Sequence, residues 1–184
     1  MEVKGTAVVA IKEYVKSNFP NDFKKWIDSL SPQSKEIFDG PVDATKWYPV
    51  EDGAMEPTIK LGALFFGGNT QKGAMESGKY SAHKALTGIY KIFVKAASPA
   101  YIIQRASRVF ATYYRPCEVI VIKSDSNSVD LEFTQMEEKY VVIEQRILGW
   151  IEKALEISGC ENLKIDVATK KDELTTREVK ITWT

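Results

Sequence analysis

The chain has 184 residues, with 25 lysines and arginines against 25 aspartates and glutamates, so its formal net charge is zero. With a pI near 6.6 it has no basic field, and neither nucleic acid nor an anionic membrane is expected as a partner. No apolar run reaches the roughly 18 residues of a transmembrane segment, and Lys12, Glu13 and Lys16 interrupt the place of a secretory signal, so the cytoplasm is expected.

Residues 6–19 carry Val8, Val9, Ile11, Tyr14, Val15 and Phe19 on one stripe, which predicts an amphipathic helix stopped by Pro20. A second short helix, capped by Asn21 or Asp22, holds Phe23, Trp26, Ile27 and Leu30 on one side. Ser31-Pro32 starts a brief third helix, with serine as N-cap and proline at the first helical position. Trp47-Tyr48-Pro49-Val50 reads as extended, because a residue before proline avoids the helical region. Helices are then predicted over 56–66 and 71–85, the second in spite of Gly73 and Gly78, and the pattern stays helical through 86–95. Ser98-Pro99 repeats the cap-plus-proline signal and opens a helix that carries Tyr101, Ile102, Arg105, Ala106, Val109, Phe110, Tyr113 and Tyr114 before Pro116.

From Cys117 onward the period changes. Residues 118–122 are apolar at four successive positions, which predicts a strand covered on both faces. In 128–134, 164–167 and 177–183 the alternation is strict: Val129, Leu131, Phe133; Ile165, Val167; Val179, Ile181, Trp183. Between the two pairs of strands, Tyr140, Ile143, Ile147, Trp150, Ile151, Ala154 and Leu155 recur at helical spacing, and Ser158-Gly159 closes the helix. The polar stretch 169–176 is expected to be the connection between the last two strands. The expected fold class is α+β in one domain, residues 1–184. A helical region, about 1–115, packs on a four-stranded antiparallel sheet formed by a β-β-α-β-β unit, about 116–184.

The chemistry-bearing residues are few. His83 is the only histidine, which excludes zinc sites built on two or three of them. It could serve as a haem axial ligand or a general base, or be an ordinary helical side chain, the commoner case. Cys117 and Cys160 lack the close spacing of metal ligands and are read as free thiols. Gly67-Gly68 fits neither glycine-rich nucleotide motif. Tyr101, Arg105, Arg108, Tyr113, Tyr114 and Arg115 form an aromatic-basic helix, read as core packing with a solvated face. No acid, base and nucleophile can be assigned to a reaction, so catalysis ranks third among the readings. The first reading is a non-catalytic domain that binds or senses a small apolar ligand between helices and sheet. Its pocket would be lined by Tyr90, Tyr101, Phe110 and Trp150, with a tyrosine hydroxyl or Arg105 at the ligand's polar end. The second is a protein–protein interaction or dimerisation module with a filled core.

The order of helices and strands, together with several short motifs, resembles the superfamily of ligand-binding domains in nitric-oxide signalling and Golgi transport. These motifs are Gly5-Thr6-Ala7, Trp47-Tyr48-Pro49, Ser77-Gly78-Lys79-Tyr80, 86–91 (Leu-Thr-Gly-Ile-Tyr-Lys), Ser98-Pro99, Thr112-Tyr113-Tyr114, Gly149, Ser158-Gly159-Cys160 and Ile181-Thr182-Trp183. The superfamily contains the haem-binding H-NOX domains, the small subunits of the transport-protein-particle tether and the 4-vinyl-reductase-like hydrocarbon-binding domains. Within it the chain is most similar to a bacterial family of unknown function with many myxobacterial paralogues. The resemblance implies a compact domain, a lipophilic pocket and a homodimer. H-NOX domains follow their proximal histidine with a Tyr-x-Ser-x-Arg motif. None follows His83, so the chain is expected to hold no cofactor, haem included.

Overall fold

The structure, a computed structural model, describes residues 1–87 and 98–184. The expected α+β architecture is present. Strand β1 (Glu2–Lys4) leads into α1 (Gly5–Asn18), followed by the short helices α2 (Phe23–Ser29) and α3 (Pro32–Asp39). Strand β2 (Trp47–Pro49), a π-helical turn over Glu51–Met55, α4 (Glu56–Phe65) and α5 (Thr70–Leu86) come next. After residue 97 come α6 (Pro99–Phe110), β3 (Tyr114–Arg115), β4 (Val119–Ser124), β5 (Ser128–Phe133), α7 (Val141–Ile157), β6 (Lys164–Lys170) and β7 (Glu173–Thr182). The helix expected over 86–95 falls almost wholly outside the described residues.

Both Ser-Pro signals act as expected. The Ser34 amide donates to Ser31 Oγ at 3.2 Å, and the Tyr101 amide to Ser98 Oγ at 3.3 Å. Each bond satisfies one of the orphan donors of a helix start.

The C-terminal unit forms a four-stranded antiparallel sheet in the order β4-β5-β7-β6. Val129 pairs with Ile181, and Leu131 with Val179, so the apolar positions of the two central strands stand side by side. Together with Phe133 they are buried on the inner face. Helix α7 covers that face with Ile143, Ile147, Ile151, Ala154 and Leu155, all at most 1% exposed. This layer makes the sheet half of the core, and α1, α5 and α6 close over it.

Tyr113 and Tyr114, expected on the helix that opens at Ser98-Pro99, lie beyond its end, with Tyr114 in β3. Two further expectations fail for reasons of position. Strand β4 is not covered on both faces: Ile120 is 39% and Ile122 56% exposed. It is an edge strand, and an apolar run by itself does not reveal which face is wet. The polar stretch 169–176 is not a loop either. It is mostly strand, turning only at Lys171-Asp172, because both faces of the hairpin tip lie in water and lose the apolar alternation.

A second, three-stranded sheet has β1 in the middle, between β2 and β3, both antiparallel to it. Val3 faces Tyr48 on one side and Tyr114 on the other, and its side chain is fully buried. This small sheet fixes Tyr114 against the helices, which positions the site described next.

Candidate functional site

Helices α5 and α7 cross with their backbones in contact, and two glycines make that possible. A Cβ on Gly78 would lie 3.0 Å from the Arg146 carbonyl carbon, and nearer still to its oxygen. One on Gly149 would lie 2.8 Å from the Cα of Met75. Neither position tolerates a side chain without moving a helix.

The residues flanking Gly78 complete the junction. Ser77 accepts a hydrogen bond from the Arg146 guanidinium. Lys79 pairs with Glu152 at 2.8 Å. The Tyr80 hydroxyl lies 3.2 Å from that of Ser17, and its ring meets Tyr14 edge-on. Ser77-Gly78-Lys79-Tyr80 is thus the segment by which α5 holds α7 on one side and α1 on the other.

Arg146 is buried, 3% exposed, on the inner face of α7. Besides the bond to Ser77, its Nε donates to the Tyr114 hydroxyl at 3.4 Å. Next to it is a gap of about 10 Å³ lined by Ser81, Phe110, Tyr113, Tyr114, Arg146 and Trp150, among others. Phe110 meets Trp150 edge-to-face, with ring centroids 5.2 Å apart. Burial, and secondarily Tyr114, push the Tyr113 phenol above its usual range.

Of the residues expected to line a pocket, Phe110 and Trp150 come together at this gap. Tyr101 and Arg105 do not: both are exposed, Tyr101 by 54%. Helix α6 turns Ile102, Ile103, Ala106 and Phe110 inward, which carries the positions just before 102 and 106 round to the solvent side. Tyr90 lies outside the described residues. The sequence reading missed Arg146, whose signal was an arginine inside the apolar arc set by Ile143, Ile147 and Trp150.

His83 is exposed on α5. Both cysteines are free and buried, and burial, helped by Glu118, pushes the Cys117 thiol up to about 12. Among the described residues there is no group of three metal-ligating side chains, and no helix is long and apolar enough to cross a membrane.

No family model matches the chain, and no curated protein does. Solved structures do. One is the Fe(II) unliganded H-NOX protein from K. algicida: TM-score 0.70, 15% identity, covering 98% of this chain and 96% of that one. A second is the oxygen complex of an oxygen-binding H-NOX domain related to soluble guanylate cyclases: TM-score 0.68, 13% identity, covering 98% and 95%. A third structure concerns modulation of haem redox potential through porphyrin distortion: TM-score 0.67, 14% identity, covering 98% and 99%.

These neighbours overturn the expectation that the chain holds no cofactor, because the fold they share points to haem. The described residues do not by themselves make a haem site. The only imidazole is exposed, and the gap between Phe110 and Trp150 is about 10 Å³, against the roughly 300–1,000 Å³ of a small-molecule pocket. What the comparison establishes is the architecture: over 98% of its length, this chain has the H-NOX fold.

Proposed function

We propose that the chain is a non-catalytic ligand-binding sensor domain, with its site in the apolar region between helices and sheet where α5, α6 and α7 meet. The observation that carries this reading is the backbone match, at TM-scores of 0.67–0.70 over 98% of the chain, to domains described in Fe(II) and oxygen-bound states. Phe110 and Trp150 supply the aromatic wall of the site, and haem is the group that the fold implies. Pairing of two copies belongs to the same proposal.

The closely packed gap favours a second reading, an interaction module with a filled core. Three measurements on the full chain separate the readings. Protein expressed with haem supply is examined by absorption spectroscopy and by mass spectrometry of whatever co-purifies. It is then screened by thermal shift against fatty acids, isoprenoids and aromatic compounds. A Soret band, a co-purifying small molecule or a saturable stabilisation supports the ligand-binding domain. If all three are missing, the interaction module is left.

A further inference from the structure

Helix α7 buries two opposite charges within one turn, and only one of them is neutralised. Glu144, 4% exposed, meets Arg177 at 3.1 Å. Arg146, 3% exposed, makes no ion pair with any described residue, and residues 88–97 contain no acidic side chain that could supply one. Its two partners, Ser77 and Tyr114, are hydroxyls. A guanidinium keeps its charge in a protein, and a buried charge without a counter-charge is strongly unfavourable.

The surroundings are those of an anion site. Two side-chain bonds use two of the five N–H donors that a guanidinium carries. The adjacent gap, about 10 Å³, has room for one water, one small ion or a single oxygen of a carboxylate whose remainder lies outside it. Ser81 and the Tyr114 hydroxyl add potential donors at its wall, and Phe110 and Trp150 supply apolar surface beside them.

We propose that this gap binds a single negatively charged group as the counter-charge of Arg146. The chemistry is that of a small monoanion, supplied by a free ion such as chloride or by the carboxylate end of an apolar ligand. The site does not depend on the ligand-binding reading, since a filled interaction module would need the same counter-charge.

The test follows thermal unfolding of the full chain in sodium isethionate, exchanged stepwise at constant ionic strength for chloride, formate or octanoate. The expected result is a saturable rise in Tm of several degrees for the wild type. Arg146→Met, which keeps an unbranched apolar stem and removes the charged guanidinium, is expected to lose that dependence. Equal responses to chloride and formate identify a free ion as the source. Saturation by octanoate at tenfold or more lower concentration identifies the carboxylate of an apolar ligand. If Arg146→Met does not fold, Tyr114→Phe removes one hydroxyl and should raise the half-saturating concentration roughly 3–10-fold. The proposal is overturned if no anion raises the wild-type Tm above the isethionate baseline. It is equally overturned if the folded variants respond as the wild type does.

Discussion

Replacing Gly78 by alanine tests the α5–α7 junction directly. On an isolated helix the change would stabilise by about 1 kcal/mol, because glycine is the poorer helix former. Here the new Cβ would stand 3.0 Å from the Arg146 carbonyl carbon and 3.1 Å from the Trp150 amide nitrogen, whereas ordinary contact begins at 3.4 Å. The carbonyl oxygen is nearer still, so the helices must part by roughly 1 Å, and backbone cannot rotate aside as a side chain can. Separation would loosen the reciprocal contact at Gly149 and stretch the Ser77–Arg146 and Lys79–Glu152 bonds. Overpacking usually costs about 1–3 kcal/mol. With two backbones in contact the upper part of that range applies, leaving a net loss of about 2 kcal/mol. For a chain of this size that lowers Tm by roughly 4–8 °C. Urea and thermal unfolding of Gly78→Ala measure it. Gly40→Ala serves as control, because a Cβ at that position would have nothing within 4 Å and its φ of −102° suits any residue. A Gly78→Ala protein as stable as the wild type, or more so, would refute the close crossing.

Other outcomes follow from burial. Phe110→Ala should cost about 3–5 kcal/mol in chemical denaturation, since the ring is 2% exposed and packs edge-to-face on Trp150; a loss below about 1 kcal/mol would show that the ring is not held there. Cys117, 2% exposed with its thiol pushed up to about 12, should resist iodoacetamide at pH 8 in the native protein and react once denatured. Rapid native labelling would contradict its placement. Burial raises the Glu144 carboxyl above its ordinary 4.5 despite the opposing charge of Arg177. The folded state therefore holds that proton more tightly than the unfolded one. Its contribution to stability is complete below pH 4.5 and is lost as pH rises through the raised value. The stability of the wild type minus that of Glu144→Gln should accordingly fall with rising pH. A flat or rising difference would reverse the assignment.

The parts of this fold that bury one face were legible in the sequence, and the parts that do not were obscure. Strict alternation in β5 and β7 identified the central strands because α7 dries one face and water wets the other. Ser31 and Ser98 marked helix starts through a chemical need, that of an unpaired amide, which tertiary packing does not alter. The strands of the small sheet are two or three residues long, too short to establish any period, and only the proline of Trp47-Tyr48-Pro49 hinted at extended backbone. At the candidate site, Phe110 and Trp150 lay on apolar stripes, and the structure brings the two rings together. Tyr101 was misplaced by one helical position, since an aromatic beside a stripe looks much like one within it. Arg146 went unnoticed because a charge in an apolar arc is ordinarily dismissed as a solvent-reaching side chain, and only the pairing pattern around it shows otherwise.

The central place of β1 in the small sheet also bears on synthesis. Glu2 forms an ion pair with Arg115, a residue 113 positions further on, while β2 on the other side arrives much sooner. At translation rates of about 5–20 residues per second, roughly 6–23 s separate the appearance of β1 from that of its second neighbour. In that interval the helices up to α5 can assemble, yet one edge of β1 has no native partner. An unpaired edge is a template for strands of other chains. Nascent or truncated chains that stop short of Tyr114 are therefore the forms of this protein most exposed to aggregation, and the arrival of a two-residue strand closes that window.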